Sequence, residues 1–157
     1  MTDNFRFKDV WLRDDAEAMS DAISLWRDSD ALPSGANPMD RAKQLCVVAY
    51  DGTKPIAVAT ATIGALSPVR EQMAFLRAFV APDYRSRKVV VPLTYAAHES
   101  LSNYARANPK LRIGGTVAIV TSKPGIYKPV GSAEMILIGY TRNDEPIIVR
   151  WFDHFRL

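Results

Sequence analysis

The stretch "FVAPDYRSRKVVVPLTYAA", residues 79–97, holds the residues with the clearest chemistry. An apolar run ends at Val80, Ala81 and Pro82, then Arg85, Arg87 and Lys88 place three cations within four residues, and an amphipathic pattern opens directly behind them. A helix N-terminus presents N–H groups that have no acceptor within the helix, and it carries a partial positive charge. Phosphate settles there readily, and guanidinium or ammonium groups beside it add charge-assisted hydrogen bonds. A phosphate-bearing ligand is one reading of residues 85–90, and a solvated charged surface is the other. Lys123 and Lys128 in "TSKPGIYKPVG" form a second, smaller cluster, and surface solvation would account for either cluster considered separately.

Other chemistries find little support. Cys46 is the single cysteine and sits in the apolar run "QLCVVAY", so a buried, inert thiol is expected and no redox role. His98 and His154 are the only histidines and stand apart, which leaves no metal-ligating constellation. His98 falls well inside a helical pattern and is expected to pack or face solvent. A net charge of +3 is too small to indicate nucleic-acid binding, for which clustering matters more than the total. No apolar run reaches the roughly 18 residues of a membrane span, and "MTDNFRFKDVW" lacks the apolar segment of a signal peptide. The expectation is a cytoplasmic protein with no membrane partner.

The elements that must position the cationic loop follow from periodicity. "FRFKDVW" alternates as a strand, and "RDDAEAMSDAISLWRDSD" carries Ala18, Ala22, Leu25 and Trp26 at helical spacing behind an acidic start. "ALPSGANP" is a loop with the placement of a lid, and "MDRAKQL" a short second helix. Two β-rich runs flank Asp51-Gly52, the turn dipeptide of a tight hairpin, and "EQMAFLRAFVAP" is a fourth strand. From Arg87 to Arg106 the apolar positions Val89, Leu93, Ala97 and Leu101 recur at helical spacing, with Pro92 tolerable in the first turn. "IGGTVAIV" is a fifth strand, "PGIYKPVG" a broken segment, and two further strands flank Asn143-Asp144. With 48% apolar residues in 157, the chain suffices for one domain, residues 1–157, of α+β class. Its sheet is expected to be mixed and mostly antiparallel, of about seven strands, with helices flanking it.

This order of elements, together with "V-A-P-D-Y-R-S-R-K-V-V" from Val80 to Val90, resembles the GNAT superfamily of acyl-CoA-dependent N-acyltransferases over nearly the whole chain. The family writes its acyl-CoA loop V-x-P-x-x-[RQ]-x-x-G-x-[GA]. Val80, Pro82 and Arg85 match, while Lys88 and Val90 replace the two small residues. "Y-K-P-V-G-S", Tyr127 to Ser132, is similar to the family's Y-x-x-x-G-F, with Ser132 in place of the aromatic. The resemblance implies acetyl-CoA as cofactor, its pyrophosphate on Arg85, Ser86, Arg87, Lys88, Val89 and Val90, and its pantetheine arm on the backbone of Phe79 and Val80. It implies Tyr127 as the acid that protonates the departing thiolate. Strands four and five should then diverge at the end carrying Val80. Side chains at Lys88 and Val90 crowd the amide cradle, so weakened binding is expected.

Acyl transfer to an amine also needs a base, since an ammonium has no lone pair. Glu71, at the start of the fourth strand, is the strand-borne candidate and reads more simply as a surface carboxylate. The position before the strand's cofactor-facing end carries Arg77 instead of an acid. Two functions remain open. One is an acyltransferase acting on a small-molecule or protein amine. The other is a catalytically inactive scaffold of the same fold that binds protein partners in a larger assembly.

Overall fold

In the computed structural model, which describes residues 4–67, 69–120 and 132–155, the periodic patterns become elements nearly where the sequence puts them. Strand β1 (Arg6–Asp9) precedes helix α1 (Ala16–Asp28), whose buried residues are Ala18, Ala22, Leu25 and Trp26, the stripe that helical spacing picks out. Asp15 caps α1, accepting from the Ala18 N–H at 3.0 Å while pairing with Lys8 at 2.6 Å. The hydrogen bond from Lys8, and after it the Ala18 N–H, holds the Asp15 carboxyl below its ordinary range. A loop with Gly35 at φ 85° leads to α2 (Pro38–Ala42), which Asn37 caps by accepting from the Met39 N–H at 2.9 Å.

Strands β2 (Leu45–Asp51) and β3 (Lys54–Leu66) form the hairpin, with Asp51 opposite Lys54 and Gly52 at φ 62°, where glycine is favoured. Strand β4 (Glu71–Val80) runs through a 3-10 turn at Pro82–Tyr84 into helix α3 (Val90–Ala107). That helix starts at Val90 instead of Arg87 because Lys88 has φ 57°, a left-handed conformation that a right-handed helix cannot include. Pro92 then falls in the first turn, where its missing N–H costs nothing. Strands β5 (Ile113–Ile119), β6 (Ile136–Tyr140) and β7 (Pro146–Trp151) complete the order.

The seven strands are arranged β1-β2-β3-β4-β5-β7-β6. Pairing is antiparallel for β1–β2, β2–β3, β5–β7 and β6–β7. It is parallel for β4–β5, over Gln72↔Ile113, Ala74↔Thr116 and Phe75↔Val117. A parallel pair needs a crossover longer than a hairpin, and α3 provides it. This is the mixed, mostly antiparallel α+β sheet flanked by helices that the element order implies.

The chain divides into two compact units, Met1–Ala61 with Arg77–Ser100, and Thr62–Leu76 with Leu101–Leu157. In the first, α1 packs on α2 and β2, and Cys46, Val48, Ile56 and Leu93 are fully buried. In the second, Leu66, Met73, Val117, Ile147 and Val149 form a core against which Phe75, Ile138 and Trp151 pack. No helix among the described residues is long and apolar enough to cross a membrane.

Candidate functional site

The candidate site is the junction in the first unit that joins β4 to α3. Ala81 leaves the strand with its N–H donating to the Ile56 carbonyl of β3 at 2.8 Å. Strand backbone groups alternate between the two edges, so Val80, one residue earlier, turns its N–H and C=O to the edge away from β3. The turn closes through the Tyr84 N–H on the Ala81 carbonyl at 2.9 Å and the Arg87 N–H on the Tyr84 carbonyl at 3.1 Å. Lys88 then reverses the chain at φ 57°, and the Val89 carbonyl accepts the first bond of α3 from the Leu93 N–H at 3.1 Å. The N–H groups of Val90 and Val91 precede that bond and have no acceptor within the helix, the donor arrangement that anions use.

The cations of the loop are held in different ways. Arg85 folds back on the strand: its Nε donates to the Val80 carbonyl at 3.1 Å, and its guanidinium lies 5.7 Å from the ring centroid of half-buried Phe79. Arg87 stacks on Tyr84 at 4.6 Å and Phe5 at 5.1 Å, with Nη1 3.9 Å from Asp51 Oδ2. Tyr84 is buried, and its hydroxyl donates to that same Oδ2 at 2.7 Å. The Asp51 hydrogen bond, with burial second, holds the Tyr84 phenol above its ordinary range. Ser86 and Lys88 are exposed; Val89 buries its side chain in the core and Val90 turns outward, 47% exposed.

The anchor formed by Asp51, Tyr84 and Phe5 escapes a reading of the sequence. Asp51 lies 33 residues before Tyr84, and no local pattern links a hairpin aspartate to an aromatic in a distant loop. Lys88 is different. The resemblance puts a glycine there, and the left-handed backbone at Lys88 is the conformation for which glycine is used. The substitution adds a side chain and strain while the chain keeps the path of a glycine.

Tyr127, Gly131, Lys123 and Lys128 lie outside the described residues. Glu71 opens β4, at the opposite end of the strand from Val80, and is half-buried. Arg77 is exposed on β4, and the Arg41 guanidinium on α2 is pushed down, by burial first and by the charge of Arg77 second. His98 is buried in α3, and burial pushes the Cys46 thiol up to about 12. Among the described residues no cluster of His, Cys, Asp and Glu could hold a metal ion.

No protein-family model matches the sequence, and no curated protein matches it. Solved structures do match. A GNAT-family acetyltransferase from Streptococcus pneumoniae is similar at a TM-score of 0.56 and 11% identity, over 94% of this chain and 99% of the other. The ribosomal-protein-S5-alanine acetyltransferase from Vibrio fischeri is similar at 0.59 and 10% identity, over 100% and 98%. A GNAT family acetyltransferase from Brucella melitensis, in complex with acetyl-CoA, is similar at 0.50 and 14% identity, over 99% and 92%. The chain has the GNAT fold.

Proposed function

We propose that the chain is a GNAT-type N-acyltransferase, with residues 1–157 acting as one cytoplasmic domain, that moves an acetyl or other acyl group from acyl-CoA to the amine of a small molecule or protein. The observation that carries this reading is the β4–α3 junction, where Lys88 keeps a glycine's backbone and the first N–H groups of α3 follow it. The donor set fits phosphate: the N–H groups of Val90 and Val91 at the start of α3, the Lys88 ammonium, and the Arg85 guanidinium. Arg87 reaches an anion only by loosening its contacts to Asp51 and Tyr84. Phe79 and Val80 would hold the pantetheine arm along the strand edge. The Lys88 and Val90 side chains make the cradle tighter for a ligand than two small residues would, so binding is weak.

Bound acyl-CoA supplies a thioester, an acyl group already activated toward attack. The acceptor must arrive with its nitrogen deprotonated to the neutral amine; that nitrogen bonds to the acyl carbon as the C–S bond breaks, the Tyr127 hydroxyl gives its proton to the departing sulfur, and the proton shed by the new amide nitrogen passes through solvent to restore the Tyr127 hydroxyl. The test is detection of free thiol over a panel of amines, with wild type and Tyr127→Phe side by side. Turnover in the wild type should fall about a hundred-fold or more in the variant. Turnover that Tyr127→Phe leaves untouched refutes the acid assignment. The second reading, an inactive scaffold with protein partners, is favoured by Arg85 and Arg87 both being held by groups of the protein itself. It prevails if the wild type neither releases thiol with any amine nor binds CoA.

A further inference from the structure

We infer that Arg85 is a latch on the edge of β4: in the free protein it occupies the Val80 carbonyl, and phosphate drawn to its guanidinium frees that carbonyl for the amide of a pantetheine-like arm. The inference rests on the acyl-CoA reading and adds the control of that same site. Its first support is the bond from Arg85 Nε to the Val80 carbonyl at 3.1 Å. Its second is the guanidinium 5.7 Å from the Phe79 ring, so the arginine lies along the last two residues of the strand. Its third is the direction of the carbonyl, since the Ala81 N–H is spent on Ile56 of β3 and Val80 faces the other edge.

An extended arm that adds to a strand edge needs backbone acceptors on that edge. The last one on β4 is the Val80 carbonyl, and Arg85 already donates to it. A guanidinium bonded to a neutral carbonyl at an exposed position is weakly held. A phosphate offers the same fork two anionic oxygens, and such paired, charge-assisted bonds are roughly twice as strong as neutral ones. The phosphate therefore wins the arginine, and the carbonyl is released. Phosphate binding and arm binding are then coupled with positive sign, each favouring the other by the same factor. Arg87 is unsuited to this exchange, because Phe5, Tyr84 and Asp51 hold it in place. It forms the fixed side of the loop against which Arg85 moves.

The experiment is a titration of the full chain with pantetheine, with and without saturating inorganic pyrophosphate, on wild type and on Arg85→Met. Methionine keeps an unbranched stem beside Phe79 and removes both the Nε donor and the charge. Pyrophosphate should tighten pantetheine binding to the wild type by about five-fold or more. Arg85→Met should bind pantetheine without pyrophosphate about as well as the wild type does with it, and pyrophosphate should give it no further gain. The Arg85 Nε–H and Val80 carbonyl resonances of the free wild type should both shift when pyrophosphate is added, as the bond between them is exchanged for bonds to phosphate oxygens. The latch is overturned if CoA binds the wild type while pyrophosphate leaves pantetheine affinity unchanged, or if Arg85→Met binds pantetheine no better than the wild type. If CoA binds neither protein and both are folded by circular dichroism, the acyl-CoA reading itself fails and the latch with it.

Discussion

Replacing Lys88 by glycine should stabilise the fold and tighten phosphate binding together, although it removes a cation from a cationic loop. Lys88 sits at φ 57°, where a residue with a Cβ costs about 1–2 kcal/mol relative to a right-handed backbone. Glycine relieves that cost and, being freer in the unfolded chain, gives back about 0.5–1 kcal/mol. The net gain is about 0.5–1 kcal/mol, because Lys88 is exposed and no packing is lost with its side chain. For a chain of this length that is a rise in Tm of roughly 1–4 °C. Ser86→Gly is the control: Ser86 is not among the residues with positive φ, so it should only lose the entropy term. Binding follows the same logic. One exposed cation counts for little at physiological salt, where charges are screened over about 8 Å, whereas removing the side chain lets phosphate oxygens approach the amides. The assays are urea denaturation at unchanged m and calorimetry with CoA. A Lys88→Gly protein destabilised as much as Ser86→Gly refutes the left-handed backbone at residue 88. A protein that is stabilised but binds CoA more weakly refutes the crowding argument.

Two further outcomes follow from the shifted ionisations. The Asp15 carboxyl is held below its ordinary value near 3.8, so its contribution is present above that pH and is lost as pH falls through the folded value; acid denaturation of Asp15→Asn should begin from lower stability and fall less steeply below about pH 4 than that of the wild type. An acid limb unchanged by the substitution refutes the role of the Lys8 and Ala18 contacts. Burial lifts the Cys46 thiol to about 12, so at pH 8 only roughly one molecule in ten thousand carries the thiolate. An aromatic disulfide reagent should modify Cys46 at the rate of unfolding, and fast labelling of the native protein contradicts the burial.

Much of the fold is legible in the residues because its elements are set by local periodicity. The stripe Ala18, Ala22, Leu25 and Trp26 is buried in α1 as its spacing requires, and Asp51-Gly52 makes the β2–β3 turn with Gly52 at φ 62°. Pro92 lies within the first turn of α3, where the sequence tolerates it. The start of α3 is less legible: Arg87 to Val89 continue a helical pattern in composition, and only the left-handed turn at Lys88 moves the first residue to Val90.

The identity of the loop, a cationic stretch between a strand and a helix, was legible from residues adjacent in the chain, its charges and the punctuating Pro82. The order of the strands and α-helices among the described residues was legible too, since each obeys a short-range period. What the cations touch is settled only once the chain has folded. A guanidinium has several available partners of comparable strength, and which one it meets depends on groups brought near by chain segments dozens of residues away. So Arg87 lies against Phe5 and Asp51 from distant stretches as well as against nearby Tyr84, whereas Arg85 is turned back onto Val80 and Phe79 by the fold of the short turn between them. The place of β7 between β5 and β6 is of the same kind. Alternation fixes which residues face inward along a strand, and strand order is fixed by long-range pairing, in which Val117 meets Val149 although they are far apart in the chain.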